Sequence, residues 1–544
     1  MSDEISSLDP AQSYDTISGS VVYQVYEQLY QYHYLKRPYT LEPLIAESLP
    51  QVDKNGTRYT IKIKQGIKYH SNPIFKGQTR ILKAEDFVIQ IKRLAFKGTN
   101  SNGWWLFDGK IKGLNDFREK AGNSLEKLKS LPVEGLKTPD DHTLVIELTH
   151  PYPQLVYALA MSFASPVPWE AVEALNNNLN DKMIGTGPFE LSQWSHQGTL
   201  KLIKFKNFRD EFYPTQGDRH SHEDDLMVDS GKKIPFIDEV NFSIMKESQT
   251  RWLNFQSQKI DFLVIPKDNY ASAIDPNGNL TEDLKSKNIK LHIAPTLTYW
   301  WISFNMKDHI LGKNKLIRQA IAYAVDINKY ISVFTNNIGQ VANSIYPPGI
   351  PGYDPTHKLP FEHNVKTAKM LLAKAGHPEG RNLPTINYDV RGTSTTNRQQ
   401  AEFIKSELEK IGMKINIVLN AFPAFLEKAR KGQLQMWQDG WTMDYPDAEN
   451  CLQLLIKKNH PPGPNATYYI NEKFDALFEK LKFLNDGPLK KQIMEQMEDI
   501  VQNELPWVMQ YYGRNYILHH GYLKNYRHSD LIFNNLKYLR LNKN

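Results

Sequence analysis

The stretch that decides the fold class is Thr385-Ile-Asn-Tyr-Asp-Val390, followed by the run Asn397 to Ile411 and then by Lys414-Ile-Asn-Ile-Val-Leu419. Two short segments rich in β-branched and aromatic residues flank a longer segment of helical periodicity. That order predicts strand, helix, strand, the unit from which α/β sheets are built. Working outward, Phe422 to Lys431 reads as a helix, Leu434 to Trp437 as a short strand, and Gly440 to Asn450 as a polar and aromatic turn. In open α/β sheets, ligands bind where loops leave the carboxyl ends of strands. The turn from Trp441 to Asp447 is expected in such a place.

On the other side, Asn305 to Lys329 places Leu316, Ala320, Ile321, Ala324 and Val325 at helical spacing, and Val365 to Ala375 continues likewise until Gly376 stops it. Earlier still, Tyr59 to Tyr69 alternates around Gly66 as a hairpin does, and Ala84 to Leu94 reads as an amphipathic helix. His142 to Leu148 alternates as a strand, and Pro151 and Pro153 separate it from an apolar helix over Gln154 to Ala164. Strands and helices are mixed without a regular repeat.

At 544 residues and 40% hydrophobic content, the chain is too long for one core and is expected to divide into two or three lobes. Its 23% charged and 11% aromatic residues argue against disorder and for aromatic surface in cores or a cleft. The net charge of +6 is spread thinly, with no run of five or more Lys or Arg, so no nucleic-acid partner is expected. The one cysteine, Cys451, has no partner for a disulfide or zinc site and reads as a buried small residue. No segment approaches the ~20 apolar residues of a membrane span. Met1-Ser2-Asp3-Glu4 lacks a basic and then apolar signal region, so a secreted protein is expected to be presented here in its mature form, with lipid anchoring left open.

Several segments, taken in order and spacing, carry a resemblance. They are Ser7-Leu-Asp-Pro10, Tyr26-Glu-Gln-Leu29, Pro43 to Leu49, Lys64 to His70, Ala84-Glu-Asp-Phe87 and Gly185-Thr-Gly-Pro-Phe189. Later ones are Ile237-Asp238, Ile260-Asp261, Ser303-Phe-Asn305, Ile317 to Asp326 and Glu504-Leu-Pro506. Together they resemble family 5 of the extracellular solute-binding proteins of ABC transporters, the group of oligopeptide, dipeptide and nickel binders.

The resemblance implies an α/β, two-lobed periplasmic binding protein fold of the cluster C type, closing about a hinge. By that pattern, residues 1–42, 186–292 and 504–544 form the base of lobe one, 43–185 its extra subdomain, and 293–503 lobe two. Crossings near Leu291 to Trp300 and near Asn503 to Trp507 are expected to flex. A monomeric, periplasmic or cell-surface receptor that hands peptides to a membrane permease is implied, with no cofactor and no catalysis.

A zwitterionic peptide in a closed cleft needs both of its charges paired, because an unpaired buried charge costs several kcal/mol. In peptide-binding members an aspartate three residues after a tryptophan takes the ammonium, and Trp441-Thr442-Met443-Asp444 matches that pattern. A turn aspartate capping its own backbone is the competing reading. Arg391, in a segment similar to one in dipeptide binders, is the candidate for the ligand carboxylate, since a guanidinium fork holds both oxygens. Arg398 is its alternative. A clamp between Asp444 and Arg391 implies short peptides, most simply di- or tripeptides.

Tyr299, Trp300, Trp301, Trp441 and Tyr445 are candidate pocket walls, and adjacent strand residues point to opposite faces, so at most one of Trp300 and Trp301 faces the cleft. Asn305 and Glu27, in family-like segments, complete the candidate ligand contacts with Thr442 and Met443.

His220-Ser-His222 has metal-ligand chemistry but sits in a charged run of surface-loop composition, and no metal site is expected there. The common hydrolase and phosphate-loop signatures are absent. Competing readings are a receptor for a nickel chelate, haem or an oligosaccharide on the same fold, and a hydrolase that resembles a binder. An uncharged sugar has no need of an acid at position 444.

Overall fold

The two short segments flanking the central helix pair in parallel, Ile386–Arg391 against Ile415–Asn420, with Thr395–Glu409 connecting them. This is the expected strand–helix–strand unit. The Ser394 hydroxyl starts its helix by accepting the Asn397 N–H at 3.1 Å. The computed structural model describes residues 1, 4–195, 198–461 and 463–542, with 422 and 423 described by their backbone alone. The chain forms two compact units, Met1–His292 with Ile517–Asn544, and Ile293–Tyr516. Both boundaries fall inside long strands. The return passage expected at Asn503 to Trp507 comes later, because Tyr511 and Tyr512 still pair with Val341 and Gln340 of the second unit.

The first unit has one large core that runs from Leu8 to Leu202 and takes in Ile517 to Leu539. At its centre Arg93 and Asp9 form a fully buried pair at 2.6 Å. The hairpin expected at Tyr59 to Tyr69 is not formed. Arg58–Lys62 instead pairs with Gln51–Val52 and Thr143–Glu147, and beyond the Gly66 turn Lys68 bridges Ile81. The helix expected at Gln154 to Ala164 is two short pieces, Leu155–Ala158 and Ser162–Ala164.

In the second unit the elements are β1 (Ile289–Phe304), α1 (Lys315–Ala324), α2 (Ile327–Phe334), β2 (Gln340–Val341), α3 (Val365–Lys374), β3 (Ile386–Arg391) and α4 (Thr395–Glu409). They continue with β4 (Ile415–Asn420), α5 (Phe422–Lys431), β5 (Met436–Thr442), α6 (Ala448–Leu452), α7 (Glu472–Leu481), α8 (Pro488–Glu504) and β6 (Trp507–His520). The single helix expected through Lys329 is broken, since Val325 is extended and Asp326 caps α2 by accepting the Lys329 N–H at 2.9 Å.

The sheet order is β6-β1-β5-β3-β4, with β1 antiparallel to β5 and β5 parallel to β3. Strand pleat sends alternate side chains to opposite faces. Ile302, Phe304, Tyr388, Val390 and Met436 pack on one face against Ile317, Ile321, Leu372, Ile404 and Leu408 of the helices. The register then puts Tyr299, Trp301, Asp389, Arg391, Trp437, Asp439 and Trp441 on the other face. One end of that face is covered by α5 and the loop after it, through Phe425 of the helix and Leu434 of the loop clustered with Trp437 and a Lys428–Asp389 ion pair at 3.0 Å.

Candidate functional site

Strand β5 runs to Thr442, further than the Leu434 to Trp437 segment expected, because Gly440, Trp441 and Thr442 pair with Trp300, Tyr299 and Thr298. The turn therefore begins at Met443. Asp444 hangs there, half-buried, and Asn450 on α6 sets its position. The Asn450 side chain is fully buried and its Nδ2 donates to Asp444 Oδ2 at 3.0 Å. Its Oδ1 accepts the Asp444 backbone N–H at 3.2 Å and the Trp441 indole N–H at 2.9 Å. One amide thus ties together the end of a strand, the acid and an aromatic wall.

Helix α6 is pinned in turn. Asp447 caps it by accepting the Glu449 N–H at 2.9 Å and receives the buried Lys490 ammonium at 2.6 Å, which also reaches Asp486 at 3.0 Å. Cys451 lies beneath, its sulfur 3.8 Å from that of Met443, and burial pushes its thiol up to about 12. It is a packed small residue, as its isolation implied.

On the same sheet face, Arg391 ends β3 with its side chain 42% exposed, and its Nη1 lies 3.9 Å from Asp439 Oδ1 on the neighbouring β5. Asp439 Oδ1 also accepts the Gly440 N–H at 2.9 Å, and Oδ2 accepts the Trp437 indole N–H at 3.0 Å. Burial pushes the Asp439 carboxyl up, opposed by the bonds from Trp437 and Gly440 and by the Arg391 charge. Arg391, Asp439 and Trp441 therefore form a row that leads along β5 towards Asp444. A partly exposed row of an acid, an aromatic and a guanidinium is equipped to bind charged, extended ligands.

Several expected contacts have structural employment instead. Trp300 lies on the opposite face, against the helices and across Gly440, where a Cβ would come within 2.5 Å of its ring. Trp301 is on the site face but nearly buried, its ring tilted by 34° against that of Trp507 at 4.4 Å and its indole N–H on Ser303 Oγ at 2.8 Å. Tyr299 is fully buried. Met443 is buried with its N–H on Leu297 O, and the buried Tyr445 donates its hydroxyl to Glu449. Thr442 is exposed, its hydroxyl 2.8 Å from that of Thr298.

Asn305 spends its amide on Gly432 O at 2.9 Å and Leu434 O at 2.8 Å, closing the loop before β5. Glu27 belongs to the first unit, where both carboxylate oxygens are held by Arg209 at 2.7 Å and one accepts the Thr186 hydroxyl. Arg398 lies near the start of α4, exposed. The exposed His220 meets Glu223 at 3.1 Å, and among the described residues no group of three or more His, Cys, Asp or Glu could hold a metal ion. Sequence reasoning missed Asp439 and Asn450. Strand alternation could have found Asp439, two residues before Trp441, whereas Asn450 carries no signal outside the folded turn.

A family model, Bacterial extracellular solute-binding proteins, family 5 Middle, matches residues 40–462. The dipeptide-binding protein of Escherichia coli strain K12 is 26% identical over 475 residues, covering 85% of this chain and 79% of its own. Heme-binding protein A of Haemophilus influenzae is 26% identical over 494 residues, covering 89% and 81%. Among solved structures, the ABC transporter-associated periplasmic binding protein DppA from Helicobacter pylori, in complex with peptide STSA, superposes with a TM-score of 0.73 at 24% identity. That match covers 99% of this chain and 96% of the other. It establishes a periplasmic binding protein fold of mixed α/β type.

Proposed function

The chain belongs to family 5 of the bacterial extracellular solute-binding proteins, and on that premise we propose that it captures peptides outside the cytoplasmic membrane and delivers them, as a monomer, to the permease of an ABC importer. The family is one of solute binders rather than enzymes. The observation that carries the peptide reading is the Asp444 carboxylate, held by buried Asn450 at the end of β5, with the Arg391 guanidinium on the same sheet face. An ammonium at Asp444 gains the partner without which a buried charge costs several kcal/mol, and the partly exposed Arg391 faces the far end of the peptide. The five residue steps from Asp439 to Asp444 extend about 17 Å at most, so a short peptide held at Asp444 reaches towards Arg391. Trp441 forms the wall between them.

Calorimetric titration with short peptides tests the anchor. Asp444→Ala is expected to lose on the order of 2 to 5 kcal/mol of affinity, the penalty of a buried ammonium without its partner. A loss below about 0.5 kcal/mol removes Asp444 from the site.

The haem-binding relative, as similar as the dipeptide-binding one, favours a second reading in which the ligand is haem. Haem has no ammonium to bring to Asp444. Saturable haem binding that is unchanged in Asp444→Ala, with no peptide binding, would decide for it.

A further inference from the structure

The strand that ends at the Asp444 turn carries a second acid on the same face. Asp439 is fixed by its own strand, with one oxygen on the Gly440 N–H at 2.9 Å and the other on the Trp437 indole at 3.0 Å. Its position does not depend on Arg391. The guanidinium reaches it from the neighbouring strand at 3.9 Å, longer than the 2.7–2.9 Å of a charge-assisted fork. Both side chains keep access to solvent, 42% for Arg391 and 24% for Asp439. A ligand carboxylate that comes to Arg391 therefore meets a cation already facing an anion, and meets that anion as well. Like charges close together oppose one another as strongly as opposite charges attract.

Resting on the peptide reading, we propose that Asp439 is a specificity-determining residue: it occupies part of the Arg391 charge and so makes the far end of the site indifferent to a free peptide carboxylate. Peptide acids, peptide amides and chains that run on past Arg391 are taken alike. Affinity comes from the amino end, at Asp444, and the length limit that a hard two-ended clamp imposes is relaxed.

The test is calorimetric titration of the full chain with Ala-Ala-Ala, Ala-Phe-Ala and Lys-Ala-Ala, each as free acid and as C-terminal amide. In the unaltered protein, acid and amide are expected to bind within about threefold of each other. Asp439→Asn is expected to raise affinity for the acids about tenfold and to leave the amides unchanged, and adding Arg391→Gln to remove the gain. A tenfold preference for the acids in the unaltered protein overturns the proposal, as does an equal shift of acids and amides in Asp439→Asn.

Since Asp439→Asn loses an acceptor for Trp437 or Gly440, Asp439→Glu, which keeps the negative charge beside Arg391, supplies an independent arm. It is expected to keep acid and amide affinities within about threefold of each other, and a tenfold preference for the acids in this variant overturns the proposal. If none of the six peptides binds the unaltered protein, the peptide reading fails and takes this proposal with it. Binding of acids over amides sinks the proposal while leaving that reading intact.

Discussion

At the scale of single residues, Asn450 fixes where the Asp444 carboxylate points. Its amide makes three bonds in a fully buried position, so Asn450→Ala leaves the Trp441 indole and the Asp444 N–H without their acceptor. Each such loss costs about 1–3 kcal/mol. Urea unfolding should register it, and peptide affinity should fall about tenfold because the acid is no longer aimed. Unchanged affinity in a folded Asn450→Ala protein would mean that Asp444 needs no orientation. Glu27 behaves oppositely. Removing it leaves the Arg209 guanidinium with Glu211 alone at 3.1 Å, so Glu27→Ala should cost about 1–3 kcal/mol of stability and leave the affinity of the folded protein intact.

Asp444 and Trp441 were legible because the spacing of a short motif survives any fold. Asn450 was not, since its role depends on a turn that brings residues six apart into contact. Asp439 was hidden by a register: only the pairing of Asp389 with Trp437 puts Arg391 beside it. Met443 and Tyr445 neighbour the acid in sequence, and the turn buries both.

At the scale of elements, the site is a strand end held by a short helix, and α6 is held by a buried ion pair. Lys490→Met leaves Asp447 buried without its cation and should destabilise by about 3–5 kcal/mol in denaturant unfolding. A loss under about 1 kcal/mol would show that α6 is anchored some other way. The length of β5 was misjudged from sequence because Gly440 reads as a strand breaker. In the sheet that glycine makes room for the Trp300 ring, so Gly440→Val should cost about 1–3 kcal/mol by overpacking. The strand–helix–strand unit was legible for the opposite reason. Its apolar alternation, a cap at Ser394 and a long periodic helix agree with one another. The hairpin at Tyr59 to Tyr69 failed because alternation identifies a strand and does not name its partner.

At the scale of the whole molecule, the pH dependence of folding has identifiable contributors in histidines that burial pushes down to about 4, His33, His292 and His70. His70 donates Nε2–H to Gly187 O at 2.9 Å, packs edge-on against Phe205, and has no acceptor for a second proton on Nδ1. Burial lowers its affinity for that proton to a pKa of about 4, from an ordinary 6.5. Between those values the unfolded chain holds the proton and the folded chain does not. Stability from this group is therefore intact above pH 6.5 and lost as pH falls towards 4, by on the order of 3 kcal/mol. His70→Gln should flatten the stability profile between pH 7 and 5, and an unchanged slope would place the acid sensitivity elsewhere.

Length led to an expectation of two or three lobes, of which the chain forms two compact units, and the family followed from ordered short segments. Ligand class rests on the charge at Asp444, and native mass spectrometry of the purified protein, with the released ligand identified after denaturation, tests that most directly. The expected result is a set of co-purified short peptides that Asp444→Ala no longer retains. Recovery of haem or a neutral sugar, held equally well by Asp444→Ala, would contradict it.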